Sequence, residues 1–415
     1  MQHVFARFLI LCLLLASASS AQTVVIKAGQ LLNPETLTIL ENQAITITDG
    51  KIISVTDYAD SEGVEIIDLS SMTVMPGLMD AHSHLCSDVN TKANGSTVRV
   101  LAEQSSAYRA IQGVANAKAM LQAGFTTVRD LGNAGDYADT ALRQAIDEGL
   151  VPGPTIVNSG RIITPFGGQI RVSREGHALM SPEFMIADTH DELRKAIREN
   201  VYYGAKVIKI IVDANNYIYS EDDIRFIVEE AGLAGFRVAA HVQSQQGILN
   251  VINAGVATIE HGWGLDADLA RKAAKKGIPL VATAFSMPAI EAFGSPNPDD
   301  EYRWVKDVLR TAYDNGVTVA FGSDLYGDVE GMTRGEAALT YIDSFVDAGA
   351  TSTQILQAFT VNAMEAIGVV DRGLIKEGMA ADIIAIPNNP LDDIHALKNV
   401  AFVMKDGSVI QSNIR

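Results

Sequence analysis

The chain has 415 residues, 47% hydrophobic, 20% charged and 6% aromatic, a mixture that excludes disordered, collagenous and coiled-coil classes. Its net charge of −18 makes nucleic acid and anionic membranes poor partners, because phosphate neutralisation needs clustered lysine and arginine. A chain of this length buries a large core, as one big domain or two modest ones.

The first segment stands apart. Arg7 precedes the apolar run 8–15 and the small-residue stretch 16–21, the build of a secretory signal peptide. The run is shorter than the roughly 20 residues that span a membrane. The expectation is cleavage after Ala21 and export to a periplasm or the medium, with no membrane attachment afterwards. An uncleaved anchor is the alternative. Past this segment Cys86 is the one cysteine, so no intrachain disulfide forms.

Residues 23–75 predict short strands at 23–27, 44–48, 51–55 and 64–68, with Asp49-Gly50 as a hairpin turn. The middle then alternates strand and helix. Strands are expected at 73–79, 126–129, 155–159, 206–211, 237–240, 257–259, 279–282 and 318–321. Thr189-x-x-Glu192 and Thr351-x-x-Gln354 are capping boxes that open helices. Eight strands with intervening helices form the pattern of a (β/α)8 barrel, and a doubly wound open sheet is the alternative. The chain end returns to strands at 382–386, 400–404 and 408–411, with Asp406-Gly407 as a second hairpin turn. Both ends are expected to pair into one small β-sandwich. The organisation is thus a signal peptide at 1–21, sandwich at 22–75, an α/β barrel at 76–366 and the sandwich return at 367–415.

Chemistry concentrates at the carboxyl ends of the central strands. His82 and His84 sit two apart after an apolar strand, so both rings face one side. His241 ends the run 237–240, His261 ends 256–260, and Asp324 follows 317–323. In a barrel that rim is where active sites sit, and imidazoles gathered there suit a borderline metal such as zinc. Lys209 lies inside the apolar strand 207–211. A buried ammonium is costly, so Lys209 either pairs with a carboxylate or is neutral and used chemically, for instance as a carbamate that bridges two metals.

The order His-x-His, Lys, His, His, Asp along the strands resembles the amidohydrolase superfamily, as do the segments 74–85, Gly322-Ser323-Asp324 and 378–383. The resemblance covers essentially the whole chain after the signal. It implies a (β/α)8 barrel with a β-sandwich built from both ends. It also implies two zinc ions, one on His82 and His84 and one on His241 and His261. Carboxylated Lys209 bridges them, and Asp324 binds the first metal and shuttles a proton. Val128-Arg129-Asp130-Leu131-Gly132 and Glu260-His261-Gly262 are most similar to the branch of Xaa-Pro dipeptidases and related carboxypeptidases, with imidazolonepropionase a neighbour.

The activity so implied is hydrolysis of an amide in a small peptide or N-acyl amino acid by attack of metal-bound hydroxide. A cyclic-amide hydrolase and a catalytically silent binding protein are the alternatives. Substrate contacts are expected from Gln169, His177, Tyr219, Gln243 and Trp263. Gln169 stands where the peptidase branch often has a histidine, and His177 is its candidate replacement. Arg171, Arg174 and Arg334 are candidates for a substrate carboxylate. The partner expected is a small-molecule or short-peptide substrate, with a homo-oligomer left open.

Overall fold

A computed structural model describes residues 23–60, 63–89, 95–214 and 217–413. The expected signal peptide lies outside the described residues. No helix among the described residues is long and apolar enough to cross a membrane.

The described residues begin with four strands, β1 (Thr23–Asn33), β2 (Thr38–Thr48), β3 (Lys51–Asp57) and β4 (Glu65–Pro76). Asp49 and Gly50 join β2 to β3 with φ of 49° and 77°, the left-handed pair that a two-residue type I′ turn requires. β4 runs further than the sequence predicts. Residues 73–76, expected to open the first central strand, pair with the chain end instead. Gly77 separates β4 from β5 (Leu78–Ser83). A Cβ on Gly77 would lie 2.2 Å from Thr126 Oγ1, so glycine alone lets the chain pass from one sheet to the next.

The middle is α/β. β5, β6 (Phe125–Asp130) and β7 (Thr155–Asn158) form a parallel three-stranded sheet. There follow β8 (Ile162–Thr164), β9 (Phe184–Ile186) and β10 (Ile208–Ile211), then the short antiparallel pair β11 (Asp213–Ala214) and β12 (Tyr217–Ile218). β13 (Val238–Val242), β14 (Thr258–His261), β15 (Leu280–Ala282) and β16 (Val319–Phe321) complete the region. The larger sheet has the order β16-β15-β14-β13-β10-β8-β9 and is parallel throughout.

Backbone hydrogen bonds link the two sheets at both flanks. The Lys206 N–H donates to the Asn158 carbonyl at 2.7 Å, and the Asp324 N–H to the His82 carbonyl at 2.7 Å. Helices such as Ser106–Gln122, His190–Tyr202 and Glu221–Leu233 follow individual strands. Both predicted capping boxes are present. Every residue of β10 and β13 is buried, which explains why those strands read as unbroken apolar runs rather than alternating ones.

β17 (Ile383–Ile386), β18 (Phe402–Lys405) and β19 (Ser408–Ser412) return to the first sheet, whose order is β19-β18-β17-β4-β1-β2-β3. The sheet curls until its β3 edge meets the segment before β17. Ile52 N–H donates to the Met379 carbonyl at 2.9 Å, and Gly378 N–H to the Ile52 carbonyl at 2.9 Å. Ile26, Ile45, Ile52, Leu69, Ile383 and Phe402 fill its interior. The expected sandwich is therefore one hydrogen-bonded order folded around its own core.

Candidate metal centre

The ends of β5, β10, β13, β14 and β16 converge on one buried cluster. His82, His84, Lys209, His241, His261 and Asp324 are exposed by 1%, 3%, 2%, 3%, 4% and 8%. Ligand atoms of His82, His84 and Asp324 all lie within 4.8 Å of one another. Asp324 Oδ1 is 2.9 Å from His84 Nε2 and 3.5 Å from His82 Nε2, and Oδ2 is 3.6 Å from His261 Nδ1. Lys209 Nζ is 3.4 Å from His82 Nε2. The His241 and His261 rings are 4.4 Å apart.

Local backbone geometry aims these groups. The pairing of β5 with β6 shifts register between Asp80 and Ser83, the stretch that carries His82. Asp80 Oδ1 accepts the amides of His82 and Ser323, each at 3.0 Å, and so ties the first central strand to the last. His261 and Asp324 hold φ of 67° and 49°, a left-handed conformation that non-glycine residues keep only when their surroundings enforce it.

Each imidazole is oriented from behind. His82 Nδ1–H donates to Glu260 Oε2 at 2.8 Å, and Arg129 Nη2 donates to Glu260 Oε1 at 2.7 Å. Arg129, wholly buried, also donates to Ala81, Ala366 and Thr258. His84 Nδ1–H donates to the Gly132 carbonyl at 2.8 Å. His261 Nδ1 lies 2.8 Å from Thr283 Oγ1, and the Gln243 amide donates to His241 Nε2 at 2.9 Å. With their Nδ1 atoms engaged outside, His82 and His84 turn their Nε2 atoms toward Asp324.

Burial, reinforced by the Lys209 charge, holds His82 well below the usual imidazole range. Burial first, with neighbouring cations, does the same to His241 and His261. Burial opposes charge on His84, but the Asp324 carboxylate outweighs it and raises that histidine. Burial lowers the Lys209 ammonium to about 8. Neutral imidazoles, a carboxylate and a readily deprotonated amine, held by donors and acceptors behind them, are the donor set a transition metal takes. The residues present fit such an ion.

Above the cluster lies a cavity of about 300 Å³, walled by Gln169, Trp263, Asn133, Phe285, Phe293 and Tyr326. Two of the five predicted substrate residues, Gln169 and Trp263, therefore face it. Trp263 packs between His261 and Trp304. Gln243 hydrogen-bonds His241 and is not part of that cavity's lining. His177 lines a neighbouring cavity, with its ring stacked on Phe166.

Tyr219 does not belong to the substrate surface. It is 4% exposed, and its hydroxyl donates to the Ala187 carbonyl at 2.6 Å, so it is a core residue with a satisfied polar tip. Arg334 is likewise structural, donating to the carbonyls of Leu325 and Ser87. Arg129, Glu260 and Asp80, which support the cluster from behind, enter the sequence reading only inside motifs and without a role of their own. Asp80 interrupts the apolar residues 78–81 much as Lys209 interrupts 207–211, whereas Arg129 stands beside Asp130 and Glu260 beside His261, so neither is a lone charge in its strand.

Residues 73–410 match the model of the amidohydrolase family. The ochratoxinase of Aspergillus niger is 31% identical over 443 aligned positions, covering 96% of this chain and 89% of that protein. A crystal structure of a Xaa-Pro dipeptidase with bound methionine is 26% identical with a TM-score of 0.82, covering 94% of this chain and 99% of that one. A prolidase complexed with N-methylphosphonate-L-proline is 29% identical with a TM-score of 0.81, covering 94% of this chain and 100% of that one.

Proposed function

The chain belongs to the amidohydrolase family and is a hydrolase of amide bonds, and on that premise we propose its substrate and metal chemistry. The substrate is an amino acid joined through its amide nitrogen to an acyl group and keeping a free carboxylate. N-acyl amino acids and small peptides such as Xaa-Pro dipeptides belong to this class. The prolidase and ochratoxinase similarities support it. The observation that carries it is Asp324. Its carboxylate touches His84 at 2.9 Å at the floor of an accessible cavity, while its own N–H is fixed to His82 at 2.7 Å.

In the same reading the two parallel sheets close into a (β/α)8 barrel over 76–366, flanked by 22–75 and 367–415, and residues 1–21 direct export. Two zinc ions would be held, one by His82, His84 and Asp324 and the other by His241 and His261. Lys209 would contribute to holding them as a carbamate, formed when its neutral Nζ adds carbon dioxide with loss of a proton. That addition needs the neutral amine, which burial favours by lowering Lys209 to about 8. A bound metal pair supplies Lewis acidity that brings the pKa of water toward about 7.

The protein's own groups do the rest. Asp324 takes the proton of the attacking water and returns it to the amide nitrogen, whose protonation makes it a leaving group. A relay of this kind contributes roughly 10²–10⁴-fold. Glu260 and the Gly132 carbonyl keep the imidazoles of His82 and His84 in register. Gln169, on the opposite wall, donates a hydrogen bond toward the scissile carbonyl. Trp263 shields the site from bulk water. The products are a carboxylic acid and a free amino acid.

The test uses protein starting at Gln22, loaded with zinc and bicarbonate and incubated with pooled N-acyl amino acids and dipeptides. Mass spectrometry should record chelator-sensitive loss of members sharing one C-terminal residue. No loss, from protein holding two metals per chain, would overturn the reading.

A further inference from the structure

Among the described residues that line the metal cavity outside the cluster itself, Glu301 alone is charged. It lies in the first turn of the helix Pro298–Asp314, which with the helix Met287–Ala292 fills the connection from β15 to β16. Negative charge in a first turn suits the helix dipole, and the exposed Asp299 and Asp300 already supply it. Asp300 also pairs with Arg303 at 3.0 Å. Glu301 differs from both. It is half-buried and faces the cavity, and no cation among the described residues pairs with it.

Its surroundings are aromatic. Trp263, Phe293 and Tyr326 line the same cavity. The Phe293 and Tyr326 rings stack at 4.2 Å with 15° between their planes, and Trp263 meets Trp304, on the helix of Glu301, at 5.0 Å. Burial raises the Tyr326 hydroxyl, and the charges of Asp324 and then Glu301 add to it, so Glu301 stands near that ring. A carboxylate among aromatic faces suits an ammonium or guanidinium. The carboxylate accepts its charged hydrogen bonds, and the ring quadrupoles attract the cation.

We propose that Glu301 selects substrates whose leaving amino acid carries a cationic side chain, so that acyl derivatives of lysine and arginine, and peptides ending in them, are preferred. The proposal rests on the hydrolase reading above and names the amine half of its substrate. Asp324 returns the proton to the leaving nitrogen, so the amine half lies beside β16. Tyr326 is two residues beyond Asp324, and the helix of Glu301 leads directly into β16. The Glu301 wall therefore stands on the side of the amine half. Lysine and arginine carry their charge at the end of a long apolar stem, which can lie along the aromatic rings while its tip meets the carboxylate.

The experiment compares Nα-acetyl-lysine with Nα-acetyl-norleucine, which has the same stem without the ammonium, on the zinc-loaded protein. The ratio of their kcat/KM values should favour lysine by about tenfold or more, the scale of one hydrogen bond to a charged group. Glu301→Gln, which keeps the shape and removes the charge, should lower that ratio about tenfold, and Glu301→Lys should bring it below one. A native ratio at or below one, or a ratio indifferent to both variants, overturns the proposal. Alanyl-norleucine carries its ammonium on the acyl half. A Glu301-dependent advantage of that dipeptide over acetyl-norleucine as large as the lysine advantage overturns the assignment to the amine half. If neither acetyl compound is cleaved, the substrate class read above fails and the subsite is judged by binding. Trp263 and Trp304 are the two tryptophans of the chain, so intrinsic fluorescence reports on this wall. Free lysine should then saturate a fluorescence change at lower concentration than free norleucine, and Glu301→Gln should abolish the difference. Equal or absent binding of the two by the native protein refutes the subsite.

Discussion

Replacing Glu260 by glutamine should loosen the metal centre without touching any group that faces substrate. Glu260 is wholly buried, and its carboxylate accepts the His82 ring at 2.8 Å, the Arg129 guanidinium at 2.7 Å and the Thr258 hydroxyl. Glutamine has the same shape but one acceptor oxygen, so either His82 or Arg129 then meets an N–H instead of an oxygen. Arg129 keeps the carbonyls of Ala81 and Ala366 and the Thr258 hydroxyl, but its charge is no longer balanced. Breaking a buried pair from one side costs about 3–5 kcal/mol, and the three remaining acceptors place this case near about 3 kcal/mol. Loss of the carboxylate behind a metal-binding imidazole lowers metal affinity about 10–100-fold. Urea denaturation of the metal-free protein reads the first quantity, and competition against a chromogenic zinc chelator reads the second. Lower stability with zinc affinity unchanged within about twofold would refute the reasoning, because Glu260 would then only neutralise Arg129.

Asp324→Asn should retain most of the bound metal while turnover falls roughly 10²–10⁴-fold, measured as kcat against metal content; near-native kcat would remove its proton-transfer role. Lys209→Ala should bind less metal than the native chain, and added bicarbonate should not restore it; full metal content in that variant would eliminate the bridge. Because burial lowers the Lys209 ammonium from 10.5 to about 8, the neutral amine that accepts carbon dioxide predominates above that pH. At a fixed concentration of dissolved carbon dioxide, metal loading should therefore accelerate as pH rises toward about 8 and level off above it, and a flat profile between about 7 and 8 would contradict it. Asp80→Ala should reduce metal content by releasing the amides of His82 and Ser323, whereas Asp80→Asn, which keeps an acceptor at Oδ1, should largely restore it; equal loss in both would mean that charge rather than the hydrogen bonds matters.

The parts legible in the sequence were those governed by short-range rules. His82 and His84 declare their common side through strand period, and Asp49-Gly50 and Asp406-Gly407 declare their turns through left-handed φ. Lys209 announces itself as a lone charge in an apolar strand. The Arg129–Glu260–His82 chain was hidden because its members are brought together across β6, β14 and β5, and no local pattern encodes a partner so distant along the chain. The boundary at Gly77 was hidden for the same reason, since what distinguishes β4 from β5 is pairing with Asp382 and the residues after it. Tyr219 was misread because an aromatic after a strand resembles a mouth residue. The short hairpin of β11 and β12 carries the chain back, and the Tyr219 N–H returns to the Val212 carbonyl at 2.8 Å, which turns the ring inward.

The end sheet also governs when the molecule can finish folding. β4 holds β1 on one side and β17 on the other, and the whole α/β region separates β17 to β19 from β4 in the chain. Until they arrive, β4 keeps an open edge and Gly77 lacks the Asp382 carbonyl that receives its N–H. The junction that aims His82 is thus locked only when strands from both sides of the α/β region have paired.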